Sequence, residues 1–352
     1  MTKLELAAVR RLEFTPCPHR ILESEEIRLE GVMSGISHGT ELALYRGTSP
    51  FASRSFDTER RLFVDSGSAY PVALGYEWVG RVVETGAGVS GFRVGDLVHL
   101  PAPHAESHVC SLAQMGAWGV DGPLPGGIEP EAACFLSQIS IAVQAVQDAR
   151  ILLGDSIIVF GLGVLGLFAV RLARLSGAGR VVAVDPLPDR RQRAEAWGAD
   201  AVLDPRDCDP GSRLKDHAPG ADIAIEFSGV AAALHQAIRT LRPGGRCVAA
   251  GFYQGGAAAL NLGEEWLHNR ITMVASTRGW GNAHRAHPRW DRARIARWAV
   301  ELLDRGWMDP SSLVTRRRSY EEAPQVFADL DDRPEDSLKT LLIYGKSGSA
   351  RK

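Results

Sequence analysis

The alternation of apolar and polar positions divides the chain into three stretches of different texture. From the N-terminus to about residue 130, short β-type runs are cut by Gly and Pro: Glu26–Val32, Trp78–Glu84 and Asp96–Leu100. Runs of that length, bounded by turn residues, predict a compact and mostly antiparallel β domain. Residues 48–70 are polar, carry Arg54, Arg60 and Arg61, and read as a long surface loop. From about 135 to 277 the pattern changes. Apolar runs at Ser156–Phe160, Arg180–Asp185, Ala201–Leu203, Asp222–Phe227, Arg246–Ala250 and Ile271–Ala275 read as strands. Helical stretches over 164–176, 188–197 and 231–241 lie between them. Continuous apolar strands separated by helices predict a parallel sheet covered on both faces. Past 278 the texture is mixed, with helices over Arg292–Asp304 and Tyr320–Leu330 and a last strand at Lys339–Tyr344. That strand is expected to rejoin the first domain. The fold class is therefore α/β: a Rossmann-type, doubly wound parallel sheet over 135–277, and a mostly-β domain split between 1–134 and 278–352.

The strand over Ile157–Phe160 runs straight into Gly161-Leu162-Gly163-Val164-Leu165-Gly166, which opens a helix. A GxGxxG pattern alone is weak, but in this strand–turn–helix setting it has a mechanism. Gly161 permits the tight turn, Gly163 lets the backbone approach a pyrophosphate, and Gly166 lets helix and sheet pack closely. The amides of Val164 and Leu165, at the helix N-terminus, face the phosphates. The next strand ends in Asp185, about twenty residues past the loop, where an acid accepts hydrogen bonds from a ribose and repels a 2′-phosphate. The expected cofactor is NAD rather than NADP. Arg190 and Arg191 qualify that, since a nearby arginine can accommodate a 2′-phosphate.

Charge and composition exclude more than they assign. With a formal charge of −2 over 352 residues, the chain has no electrostatic footprint for nucleic acid or an anionic membrane. The first twenty residues mix Lys3, Glu5, Arg10, Arg11 and Glu13 with apolar ones, so no secretory signal is expected. Cysteines 17, 110, 134, 208 and 247 are scattered and form no CxxC pair. They read as reduced thiols in a cytoplasmic protein.

The segment Gly75-Tyr76-Glu77-Trp78-Val79-Gly80-Arg81-Val82-Val83-Glu84-Thr85-Gly86 resembles the GHExxGxVxxxG signature of the medium-chain dehydrogenase/reductase superfamily. Residues 88–98, Gly-Val-Ser-Gly-Phe-Arg-Val-Gly-Asp-Leu-Val, match the GxxVxxFxxGDxV segment that follows it. The resemblance covers nearly the whole chain. It implies a GroES-like β domain, a Rossmann domain, a catalytic cleft between the two and a homodimer paired through the strand around Ile271–Ala275. Within the superfamily, Ser34-Gly35-Ile36-Ser37-His38-Gly39-Thr40-Glu41 followed by Gly-Tyr-Glu looks most like the branch containing bacteriochlorophyllide dehydrogenase.

Many members hold a catalytic zinc through Cys, His and Cys. Here the His of GHE is Tyr76, the late cysteine falls near Leu136 with Cys134 two residues off, and the early one becomes Ser37 or His38. A phenol, a leucine and a hydroxyl do not replace two thiolates and an imidazole, so no zinc is expected. Were a metal held after all, His38, Glu77 and His104 would be its ligands.

Without a metal, a side chain must manage the proton of the reacting oxygen. Tyr76 is the first candidate and His38 the second, with Ser37 or Thr40 as relay and Glu77 orienting either group. Tyr45, Trp118, Trp266 and Trp280 are candidates to border the pocket. The leading expectation is an NAD-dependent alcohol dehydrogenase or ketone reductase acting on a small, sugar-like or secondary-metabolite substrate. A quinone or enoyl reductase and a non-catalytic dinucleotide-binding protein are the alternatives.

Overall fold

The structure, a computed structural model, describes residues 1–216, 218–277 and 289–345. The chain divides into two compact units, Met1–Ser137 with Ala286–Lys352, and Gln138–Arg285. The first crossing lies three residues past the one drawn from the sequence, at the start of a helix, Leu136–Ala149. Trp280 and the expected boundary at 278 fall outside the described residues.

The second unit is built on six parallel strands. Across the sheet they run Ala201–Leu203, Arg180–Val184, Ser156–Phe160, Ala221–Glu226, Leu241–Ala249 and Thr272–Ala275. Ile157, Ile158 and Val159 are fully buried. Helices cover both faces of such a sheet, so its strands carry no polar face and read as continuous apolar runs. The chain adds strands to one side of Ser156–Phe160 and then returns to add the rest on the other, so the order reverses at that strand. Phe160 is in register with Val184 on one side and Glu226 on the other. The turns that follow, at Gly161, Asp185 and Phe227, therefore emerge together at the carboxyl ends of the strands, where α/β sheets bind their ligands.

In the first unit the long Glu26–Ile36 strand is the hub. It pairs antiparallel with Trp78–Thr85, with Ser107–Ser111 and with Thr340–Ile343. The C-terminal strand thus lies beside an N-terminal one, with Thr340 opposite Ile36. A first hairpin, Thr2–Ala8 with Arg11–Pro16, turns Leu4 and Leu6 into the core beside Tyr45 and Phe327. Residues 48–70 are not a plain loop. They hold a two-stranded hairpin, Arg54–Asp57 with Leu62–Asp65. Phe56 and Phe63 form a cross-strand pair at 5.3 Å, and the Arg54 and Arg61 guanidinium groups lie over those rings. Paired aromatics of this kind stabilise a hairpin, and the interleaved charges hide the pattern in the sequence.

All five cysteines are free. No helix among the described residues is long and apolar enough to cross a membrane.

Candidate functional site

In the second unit the glycine loop is fixed by backbone contacts. Gly161 has φ +79°, and a Cβ there would approach the Ser228 amide nitrogen to 2.5 Å. A Cβ at Gly166 would come within 1.9 Å of the Gly161 carbonyl oxygen. Gly163 is the opposite case: a Cβ would meet nothing within 4 Å, so its surface is open. It caps the Val164–Leu175 helix without a side-chain cap. The first-turn amides of Val164 and Leu165 have no partner within the helix, and the macrodipole adds partial positive charge there. An open glycine, uncapped amides and a helix N-terminus suit a pyrophosphate.

Asp185 is almost fully buried at the end of its strand. Its Oδ2 accepts the Leu162 amide of the loop at 2.8 Å and its Oδ1 accepts the Leu187 amide at 2.8 Å. The acid is thus tied to the glycine loop, and a carboxylate has lone pairs beyond these two contacts for hydroxyl donors. Arg190 stands 3.8 Å from the same carboxylate. Arg191 is committed elsewhere, to the Asp185 carbonyl oxygen and to Asp204.

One acid of this edge escaped the sequence reading. Glu226, fully buried, accepts the Ser228 amide at 2.6 Å, the Gly229 amide at 3.2 Å and the hydroxyls of Ser228 and Tyr253. Burial pushes its carboxyl up, against the pull of those hydrogen bonds. It anchors the turn against which Gly161 packs.

The first unit brings its candidates together through strand pairing. Ser34 lies opposite Trp78, and the Gly35 amide donates to the Glu77 carbonyl oxygen at 2.8 Å. The ends of the two strands therefore set Ser37 beside Tyr76. The Tyr76 phenol donates to Ser37 Oγ at 2.6 Å, and the Tyr76 carbonyl accepts from Ser137 Oγ at 2.8 Å. Burial raises the pKa of the phenol, and the charges of Glu77 and Glu41 raise it further. Hydrogen bonds from Ser37 and Thr40 oppose that shift. The phenol is therefore held protonated at neutral pH. Thr40, at the start of the Thr40–Tyr45 helix, is exposed, and His38 is half-buried in the turn before it.

Glu77 is fully buried, and its Oε2 forms an ion pair with Lys339, itself fully buried. The lysine also donates to the Ile36 carbonyl at 3.1 Å and stands 5.4 Å from the Phe135 ring centre. Burial pushes the Glu77 carboxyl up to about 7, against the opposing pull of Lys339. Among the described residues, Glu77 Oε1 has no hydrogen-bond partner. The sequence offered no sign of this role for Lys339, which lies just before the Thr340–Ile343 strand, 262 residues from Glu77.

His104, named above as a ligand for a metal, is placed otherwise. It is fully buried, with Nδ1 at 2.7 Å from Ser34 Oγ and Nε2 at 2.8 Å from Glu41 Oε2, so neither nitrogen is left for a metal. Cys134 is buried and burial raises the pKa of its thiol. Among the described residues, the one group of His, Cys, Asp or Glu ligand atoms close enough to share a cation is His235, Glu264 and Glu265, in the second unit. Among the described residues, no such group lies around Tyr76.

The aromatic candidates also divide differently. Tyr45 packs in the core with Phe327 at 5.7 Å. Trp118 packs against the core of the first unit and Trp266 against that of the second. Each fills space beside apolar neighbours.

Two family models match the chain: the alcohol dehydrogenase GroES-like domain over residues 39–140 and the zinc-binding dehydrogenase domain over 164–291. The D-guloside 3-dehydrogenase of Escherichia coli is 31% identical over 354 residues, spanning 98% of this chain and 100% of that one. The chain belongs to the medium-chain dehydrogenase/reductase superfamily. Solved structures in the same fold include galactitol-1-phosphate dehydrogenase from Escherichia coli, with a TM-score of 0.77 at 20% identity over 98% of this chain and 100% of that one. A dehydrogenase from Sinorhizobium meliloti bound to NADP gives 0.77 at 22% identity over 97% and 99%. The chain is thus an oxidoreductase with a nicotinamide-dinucleotide fold, and the glycine loop and Asp185 are the residues that would hold the dinucleotide.

Proposed function

We propose that this protein is an NAD-dependent, zinc-independent dehydrogenase that interconverts a secondary hydroxyl of a glycoside or related sugar with the ketone. The observation that carries the metal-free part is the Tyr76–Ser37 pair, two hydroxyls in hydrogen-bond contact within the superfamily's metal-ligand motifs. The full-length likeness to D-guloside 3-dehydrogenase supplies the substrate class and favours a ring hydroxyl over a conjugated C=C bond.

The glycine loop and Asp185 would hold a nicotinamide dinucleotide, which when bound would supply the hydride exchange with the carbinol carbon. The chain's own residues handle the proton. In the reducing direction Tyr76, protonated because it is buried beside two carboxylates, donates to the carbonyl oxygen. Ser37 restores that proton across the 2.6 Å contact, and exposed Thr40 links the pair to solvent. Glu77, next to Tyr76 in the chain, adds its charge to the effect of burial in raising the phenol's pKa. His38, on the same turn, is the second proton donor to test. Arg190 flanks the ribose acid. The homodimer that the superfamily implies would pair two copies of Thr272–Ala275, the outer strand of the sheet, whose Met273 is exposed.

Purified protein, assayed by NAD⁺ reduction with methyl D-guloside, other methyl glycosides and polyols, should turn over secondary alcohols. It should carry no stoichiometric zinc and keep its rate in chelator. One tightly held zinc per chain, whose removal abolishes turnover, would sink the metal-free mechanism. Reduction of enones with no action on any glycoside would move the reaction to C=C bonds, and NADH binding without any turnover would make the protein a non-catalytic binder. Asp185→Ser should raise the KM for NAD⁺ roughly tenfold, the worth of a charge-assisted hydrogen bond, and narrow the preference against NADP⁺. An unchanged KM ratio for the two cofactors would show that Asp185 does not read the ribose.

A further inference from the structure

Glu41 closes the Ser34–Glu41 segment, and apart from its charge, which helps to keep the Tyr76 phenol protonated, it has no part in the proton transfer. It is 2% exposed, and each of its oxygens has one partner. Oε1 accepts the Ser37 amide at 2.8 Å; Oε2 lies 2.8 Å from His104 Nε2. In return the Glu41 amide donates to the Ser37 carbonyl at 3.1 Å. Ser37 is thus held at its backbone on both sides, which leaves its hydroxyl to Tyr76.

His104 has its own fixings. Its Nδ1 meets Ser34 Oγ at 2.7 Å, and that oxygen meets the Tyr344 hydroxyl at 2.9 Å. Its amide donates to the Leu74 carbonyl at 2.7 Å. The next residue, Gly75, has φ +109°, and a Cβ there would come within 2.8 Å of the His104 nitrogen and 3.0 Å of the ring. The turn that delivers Tyr76 is therefore packed directly on His104. One buried pair touches both sides of the Tyr76–Ser37 contact: through the Ser37 amide, and through the Leu74–Gly75 turn.

We propose that Glu41 and His104 are positioning residues for proton transfer, a buried hydrogen-bonded clamp that sets the Tyr76 phenol and the Ser37 hydroxyl at contact distance. The pair does not itself carry the proton, because Glu41 binds the amide of Ser37 and not its hydroxyl. A buried network whose members are all satisfied is the kind that fixes one geometry, and small misplacement of a reacting group is costly in rate. This inference rests on the reading of Tyr76 as proton donor.

A double-mutant cycle tests it, with methyl D-guloside and NAD⁺ as probes on the full chain. Glu41→Leu keeps bulk but removes both acceptors, and should lower kcat about tenfold with the KM for NAD⁺ unchanged. Glu41→Gln can offer its carbonyl to Ser37 and its amide to His104, and should restore kcat to within about threefold of wild type. In the Tyr76→Phe background, Glu41→Leu should cost no further turnover, since there is no phenol left to place. His104→Gln gives a second arm should Glu41→Leu fail to fold, with the same loss and the same non-additivity expected. If Tyr76→Phe lowers turnover but the Glu41 and His104 variants cost equal factors in both backgrounds, the clamp is overturned and the proton donor stands. If Tyr76→Phe alone keeps full turnover, the proton-donor reading fails and takes the clamp with it.

Discussion

Tyr76→Phe is expected to lower kcat for glycoside oxidation by about 10²–10⁴-fold, the range typical of losing a general acid–base group, while the KM for NAD⁺ stays near wild type. The substitution deletes one oxygen and keeps the ring, so packing is preserved. It leaves Ser37 Oγ without its 2.6 Å donor, an exchange worth about 1 kcal/mol of stability. The thermal midpoint should therefore move by only a few degrees, and a large loss of rate cannot be charged to unfolding. Ser37→Ala removes the other half of the pair and should cost less, since solvent can replace a relay but not a donor. The pH dependence has a definite sign. Burial and the neighbouring carboxylates hold the phenol above its ordinary value, so ketone reduction should show no loss of the acid form between pH 7 and 9. Should Tyr76→Phe keep full turnover, His38→Ala becomes the deciding variant.

How much of this was legible in the sequence follows from how local each signal is. The parallel sheet reads directly, because strands buried on both faces read as nearly continuous apolar runs, and Ile157 to Phe160 with the glycines after them form one uninterrupted statement. The place of Asp185 was readable for the same reason: it ends the next strand. Ser37 and Tyr76 were readable through short motifs, although the contact between them comes from strand register. The hairpin within 48–70 was not, because charged residues interleave with Phe56 and Phe63, and only pairing shows that these rings meet. Glu41 and His104 lie 63 residues apart and Glu77 and Lys339 262 apart. Nothing in the spacing of a lysine such as Lys339 distinguishes a buried ion-pair partner from a solvated side chain. Such charges are also the ones composition would place on the surface. Tyr45 illustrates the converse. Its neighbourhood in the sequence suggested a pocket, and its contact with Phe327, far along the chain, puts it in the core.

Lys339→Met should cost the largest amount of stability of any substitution considered. The lysine nitrogen lies out of solvent, satisfied by Glu77, the Ile36 carbonyl and the face of Phe135. Methionine fills most of its volume but leaves Glu77 a buried carboxyl with neither oxygen paired by charge. Breaking a buried pair from one side costs about 3–5 kcal/mol, which for a unit of this size lowers the midpoint by roughly 6–20 °C. The pH dependence separates this from a simple packing loss. Glu77 is already pushed up to about 7, and losing its counter-charge pushes it higher. A carboxyl raised in the folded state takes up its proton on folding, so its contribution is intact below the unfolded value near 4.5 and is lost as pH climbs through the folded one. The deficit of Lys339→Met should therefore be small at pH 5, where Glu77 is neutral, and grow towards pH 8. Adding Glu77→Gln removes the charge itself, and the double variant should recover most of the loss at pH 8, because replacing both members of a buried pair costs less than removing one. Thermal melts of the two variants at pH 5, 6.5 and 8 check it. A deficit independent of pH, or a double variant no better than the single one, would mean that the pair contributes packing and not charge, and Glu77 would lose its electrostatic role beside Tyr76.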